Sequence, residues 1–170
     1  MWLKILITII LFYFFAVLRD SLFLHFNLFG MAPNFIFILF FLFIFFSGRG
    51  KPRLNWEDVS VAVIAGFFLD VSSYSYFGVS IVLLLMIAVL AKKTLRSLRE
   101  KTERYPILYF VPLFLISNLA YDVLSGLSLY LLDPAHIVFN LNLILLFQIF
   151  CNLIFATLGF YICKALKFRL

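Results

Sequence analysis

The chain is poor in the residues that soluble enzymes use on their surfaces and in their sites. Only 13% of its 170 residues are charged, and it has 2 Cys, 2 His and 5 Pro. In contrast, 65% of the residues are hydrophobic, and 24 of them are Phe. A soluble domain of this size cannot bury so much apolar surface. The composition therefore predicts that residues 1–170 form a single integral membrane domain.

The few reactive side chains do not form a catalytic or metal-binding pattern. Cys151 and Cys163 would lie roughly 18 Å apart on one helix, too far for a disulfide. The sequence has no familiar Ser-His-acid arrangement, no carboxylate pair within one helical turn at membrane depth and no glycine-rich phosphate loop. We therefore expect no enzymatic activity, no metal and no cofactor. An intramembrane hydrolase or transferase acting on lipid is the least supported alternative.

Six apolar segments separated by polar or basic stretches predict an all-α polytopic protein with six transmembrane helices, five being the alternative. The segments cover roughly residues 3–18, 35–46, 59–70, 77–91, 107–121 and 137–166. If both termini are cytoplasmic, all of the 14 Lys and Arg except Arg19 lie on the cytoplasmic side, as the positive-inside rule expects. The net charge of +6 then reflects orientation against anionic lipid, and we expect no nucleic-acid binding.

One carboxylate, Asp70, lies between the third and fourth apolar segments, followed by a polar turn and by Gly78. An ionisable side chain at the edge of two membrane segments costs a few kcal/mol unless it reaches water or a partner. Asp70 is therefore a candidate functional residue, although a helix-end carboxylate in contact with water is the simpler interpretation. Residues 59–91 are few for two crossings of about 20 residues each. We therefore expect the turn to form the floor of a shallow outward-facing recess.

Two further sets of residues have a predicted role. Amide and small residues of the sixth segment share a narrow arc that Asn118 of the fifth segment can face. We expect them to promote helix packing in lipid rather than to line a substrate path; the set is Asn118, Gln148, Asn152 and Gly159. A basic stretch follows the fourth segment and is predicted to extend its helix and to contact anionic lipid or a cytoplasmic protein. Its cations include Lys92, Lys93, Arg96, Arg99 and Arg104.

The pattern Gly66-x-x-x-Asp70, followed by a small polar turn and by Gly78 opening the next helix, resembles the rod-shape-determining MreD family of bacteria. Members have about this length and five or six membrane helices. Their second helix typically begins with Pro-Asp before a long apolar run, whereas this chain has Pro33-Asn34. The departure removes a carboxylate, and with it any role that depends on that charge.

The resemblance implies a non-enzymatic scaffold of the cell-elongation machinery in the bacterial inner membrane. Its partners would be an MreC-like single-pass membrane protein and, through it, the glycosyltransferase and transpeptidase that build sidewall peptidoglycan. The family's fold also looks like the substrate-binding membrane subunit of energy-coupling-factor vitamin transporters. A subunit that binds a vitamin-like solute is therefore the alternative function.

On the scaffold interpretation, the recess receives a membrane helix or juxtamembrane segment of the partner. Gly66 would permit close helix approach, and Asp70 would accept hydrogen bonds from the partner or from neighbouring residues. The substitution Asp70→Leu is then expected to weaken partner capture without unfolding the protein. The full predicted partner-binding set is Pro33, Asn34, Gly66, Asp70, Ser72, Tyr74, Gly78 and Asp122.

Overall fold

The computed structural model describes residues 2–25, 33–50, 54–72, 76–98, 105–132 and 143–165. All regular structure in these ranges is helical, which confirms the all-helical class. The helices are α1 (Trp2–His25), α2 (Phe35–Gly50), α3 (Trp56–Ser72), α4 (Val79–Ser97), α5 (Pro106–Leu132) and α6 (Leu143–Ala165). By length and composition, two of them are long and apolar enough to cross a membrane, namely α5 and the Leu146–Ala165 part of α6.

Helix α2 lies at the centre of the bundle and contacts each of the other five helices. Its sequence explains this position, because residues 35–46 are apolar on every side, and such a helix is stable only when it is enclosed. Phe41 and Phe45 are fully buried and meet Phe110 of α5, with ring centroids 5.7 and 5.1 Å apart. The core around α2 is therefore built largely from interlocking aromatic rings.

The other five helices surround α2 in the order α1, α3, α4, α5, α6, each packing against the next. Helices α2, α3 and α4 alternate in direction. Ser47 near the end of α2, Asp58 at the start of α3 and Lys92 near the end of α4 meet in one cluster. At the opposite end of the bundle, Asp70 of α3 meets Gly78 before α4. We call these the Lys92 end and the Asp70 end.

Three helices are long and three are short. Helices α1, α5 and α6 have 24, 27 and 23 residues, whereas α2, α3 and α4 have 16, 17 and 19. The long helices measure roughly 34–40 Å and the short ones roughly 24–28 Å. The difference appears at the Asp70 end. There Ser80 in the first turn of α4 hydrogen-bonds to Tyr121, from which α5 continues roughly 16 Å farther, to Leu132.

Helices α1 and α6 project at the same end. Phe15 of α1 meets Phe35 at the start of α2, with ring centroids 5.9 Å apart, and α1 continues roughly 15 Å beyond that level. Asn152 of α6 contacts Asn34, and α6 begins roughly 14 Å farther out. Among the described residues, the three long helices therefore rise around the ends of the three short ones. We call the region bordered by these projecting helix ends the recess.

Several segment boundaries differ from those expected from the sequence. Helix α1 continues past Leu18 to His25, and α5 continues past Tyr121 to Leu132. The fifth apolar segment was expected to end near residue 121, and the helix also includes the polar stretch that follows it, as far as residue 132. Helix α4 runs to Ser97, which confirms that the basic stretch begins as a helical extension. The expected start of the sixth segment at residue 137 lies outside the described residues.

Candidate functional site

The carboxylate of Asp70 fixes the start of α4. Its Oδ2 accepts the backbone N–H of Gly78 at 2.7 Å, and its Oδ1 accepts the backbone N–H of Ser80 at 2.9 Å. The first N–H groups of a helix have no partner within the helix, and the helix dipole favours a negative charge there. Asp70 is buried, so it caps α4 from the neighbouring helix rather than meeting water at a helix end.

Two glycines allow this arrangement. A Cβ on Gly66 would lie 2.5 Å from the Cα of Ile81, so only glycine lets the α3 and α4 backbones approach this closely. Gly78 has φ 96°, in the left-handed region that favours glycine. Gly66 thus sets the distance between α3 and α4, and Gly78 sets the turn that brings its N–H to Asp70.

Ser80 connects this cap to α5. Its hydroxyl lies 3.1 Å from the hydroxyl of Tyr121, and both side chains are buried. The ring of Tyr121 also packs on Phe37 of α2, with centroids 5.2 Å apart. The start of α4 is therefore held against both α5 and the central helix.

A second polar network connects α2, α5 and α6 at the same end. The Asn34 side chain caps α2 by accepting the N–H of Phe37 at 3.1 Å, while the Asn34 backbone N–H donates to Asn152 Oδ1 at 2.8 Å. Asn152 Nδ2 donates to Asn118 Oδ1 at 3.1 Å, and Asn118 Nδ2 donates to Asp122 Oδ2 at 3.0 Å. This chain of amides ties the three helices together at the base of the recess.

The structure brings most of the predicted partner-binding residues to the base of the recess. Proline is favoured in the first turn of a helix, which predicts that Pro33 lies inside α2. It is instead buried just before this helix. The Ser72 hydroxyl donates to the carbonyl of Phe68 in its own helix. Tyr74 lies outside the described residues. The placed polar members therefore make bonds within the protein, and they position helices.

The predicted helix-packing residues lie on α5 and α6. Asn118 and Asn152 bond to each other directly. A Cβ on Gly159 would lie 2.7 Å from Leu42 Cδ1, so this glycine lets α6 approach the central helix. Gln148 is partly buried. The sequence-based pairing of Asn118 with the amide face of α6 matches the contacts in the structure.

The Lys92 end contains an ion pair that sequence reasoning missed. Lys92 Nζ lies 2.9 Å from Asp58 Oδ2, and the two side chains are 3% and 2% exposed. The Ser47 hydroxyl donates to Asp58 Oδ1 at 2.8 Å and accepts from Lys92 Nζ at 3.1 Å. Asp58 Oδ2 also accepts the Asn55 backbone N–H at 2.9 Å. The pattern Asn55-x-x-Asp58 is a helix-start signature, which indicates the bond between these two residues but not the ion pair with Lys92.

The predicted lipid-contacting cations divide into two groups. Lys92 is buried in the ion pair and does not lie on the outer surface with its neighbours. Lys93 and Arg96 are exposed on α4, where they are accessible to headgroups or to another protein. Arg99 and Arg104 lie outside the described residues. In the described ranges, no group of three or more His, Cys, Asp and Glu could hold a metal ion.

Comparison with known proteins found no similar protein. No protein-family model, no curated protein and no solved structure matches the chain.

Proposed function

We propose that the protein is a non-enzymatic, multi-pass scaffold of the bacterial inner membrane that acts in cell elongation, as the MreD family does. One observation carries the proposal. The residues on which the resemblance depends, Pro33-Asn34, Gly66, Asp70 and Gly78, lie together at one end of the bundle. There they cap or closely pack the ends of α2, α3 and α4 at the base of the recess. The residues of the motif therefore act together on the same part of the fold.

The recess suits a membrane partner that approaches from the periplasmic side. Six crossings with both termini in the cytoplasm would place the Asp70 end outside and the exposed Lys93 and Arg96 inside. The partner is an MreC-like single-pass protein whose juxtamembrane segment lies between the projecting ends of α1, α5 and α6. The glycosyltransferase and transpeptidase of sidewall synthesis would join through it.

The internal bonding of the polar residues favours a protein partner over a vitamin-like solute. A solute site needs several polar groups that converge on the ligand. The amide of Asn118 bonds to Asn152 and Asp122, and the hydroxyl of Tyr121 lies against Ser80. The sequence offers four candidates for solute contacts: Tyr74, which lies outside the described residues, Tyr76, which is 46% exposed, Asn118 and Tyr121. The last two already serve helix packing.

The test is a mild-detergent pull-down from native membranes with a pair of neighbouring variants on α5. The buried face of this helix includes Ser117, Asn118 and Tyr121, and one further pair of turns brings Ser128 to the same face. Ser128→Trp fills the recess, whereas Leu127→Trp changes an exposed position beside it. The pair therefore compares a blocked recess with a matched change on the outer surface.

We expect the unmodified protein and Leu127→Trp to retain a single-pass periplasmic protein and cell-wall synthases, and Ser128→Trp to lose them. Equal capture by both variants would show that the recess is not the binding site. Recovery of ATPase subunits, or of a stoichiometric small molecule, would replace the scaffold with the transport alternative. Asp70→Leu alone is a poorer test, because it also removes the cap of α4.

A further inference from the structure

The apolar surface of the bundle is short on the side formed by α1, α3 and α4. On α3 the exposed apolar side chains run from Trp56 to Val71, and on α4 they run from Phe77, just before the helix, to the exposed Lys93. Each interval covers roughly 22 Å along its helix axis. The apolar part of α1, Ile5–Leu18, is of similar length, roughly 21 Å.

The side formed by α5 and α6 is longer. On α5, Leu108 and Leu132 are 65% and 53% exposed, and they lie roughly 36 Å apart along the helix. Both α5 and the Leu146–Ala165 part of α6 are long and apolar enough to cross a membrane. The apolar part of α6 covers roughly 28 Å, so the apolar height of this side exceeds that of the other side by roughly a quarter on α6 and by more on α5.

The short side cannot lengthen by sliding or tilting within the bundle. The Asp58–Lys92 pair is buried at one end of the α3–α4 hairpin, and the Asp70 carboxylate is buried at the other. Both helices also pack against α2 along one face. Moving the exposed Lys93 into hydrocarbon would cost a few kcal/mol. A bilayer with a hydrocarbon core of about 30 Å therefore matches the α5–α6 side and not the other.

We propose that the α1–α3–α4 side binds phospholipid in a locally thinned bilayer, while the α5–α6 side contacts bilayer of ordinary thickness. The occupant of the short side is phospholipid whose acyl chains span roughly 20 Å across both leaflets, with anionic headgroups able to meet Lys93 and Arg96. This inference rests on the proposed membrane location but not on the proposed partner, so the two can fail separately.

The test compares lipid preference on the two sides of the purified protein. In a background with Trp2→Phe and Trp56→Phe, which removes both tryptophans, a single Trp is introduced by Met86→Trp on α4 or by Ile116→Trp on α5. These side chains are 49% and 67% exposed. Each variant is reconstituted in dioleoylphosphatidylcholine mixed with brominated dimyristoleoyl- or dierucoylphosphatidylcholine. Quenching by the brominated lipid gives its relative binding constant at the probe.

We expect the α4 probe to favour the short-chain over the long-chain lipid by about threefold, because mismatch costs fractions of a kcal/mol per Å. The α5 probe is expected to show no such preference. The same preference at both probes would overturn the proposal while leaving the membrane location intact. Quenching at α5 without quenching at α4 would also overturn it, because protein such as a second copy would cover the short side. Absence of quenching at both probes would overturn the membrane location as well.

Discussion

The substitution Asp70→Asn tests whether the carboxylate holds the start of α4. Asp70 accepts two backbone N–H groups, from Gly78 and Ser80, in a buried position. Asn retains one acceptor oxygen, but its NH₂ group faces the other N–H, so one hydrogen bond is lost. Losing a hydrogen bond to a charged group costs about 1.5–3 kcal/mol, and losing the charge at the helix N-terminus costs about 0.3–1 kcal/mol more.

The expected destabilisation of the α3–α4 junction is therefore about 2–4 kcal/mol. Hydrogen exchange measured by mass spectrometry in detergent should show it as faster exchange of the amides at 78–80, by roughly 30-fold or more if they exchange through local opening. Glu57→Gln, at an exposed carboxylate on the same helix, is the control and should leave these amides unchanged. Unaltered exchange at 78–80 in Asp70→Asn would refute the capping role.

Three further substitutions have expected outcomes. Gly66→Val should destabilise the fold by about 1–3 kcal/mol in mixed-micelle unfolding followed by circular dichroism, because its side chain meets the backbone of Ile81; unchanged stability would contradict the close approach. Lys92→Met leaves Asp58 buried without its cation and should cost about 3–5 kcal/mol, whereas adding Asp58→Leu should recover much of the loss; additive losses would contradict the pairing. Asn152→Leu leaves the groups it bonds unpaired and should accelerate amide exchange at residues 34–38, without affecting residues 78–80.

The sequence was sufficient to predict much of the helical pattern but not every boundary. The uninterrupted apolar run from Phe35 predicted a helix that the structure confirms, although the helix begins at Phe35 and not with Pro33 in its first turn. Residues 122–132 belong to the polar stretch that follows the fifth apolar segment, and they contain Asp122 and two Ser. In the structure Asp122 bonds to Asn118 one turn earlier, and Ser125 and Ser128 donate to carbonyls of their own helix. Local bonds of this kind let polar residues remain helical, and composition alone does not reveal them.

The sequence identified the position of the candidate site but not the hydrogen-bond partners of its residues. The position of Asp70 at the turn between two apolar segments identified it as a candidate functional residue, with a helix-end carboxylate in contact with water as the simpler alternative. Its partners are the N–H groups of Gly78 and Ser80. This pairing depends on how α3 and α4 pack, which cannot be read from a single sequence. The Asp58–Lys92 pair is similarly non-local. The two residues lie equally far along the chain on either side of the turn, which is a usable signal only once the hairpin is known.

The capping role of Asp70 changes how a motif of this kind contributes to partner binding. Both oxygens of its carboxylate accept backbone N–H groups of the same protein, so it has limited capacity to bond a partner directly. A partner in the recess would instead contact the projecting parts of α1, α5 and α6. The motif would then act by holding α3 and α4 close together at the base of the recess. Changes at Ser128 should therefore alter partner binding at constant stability, whereas changes at Asp70 should alter both together.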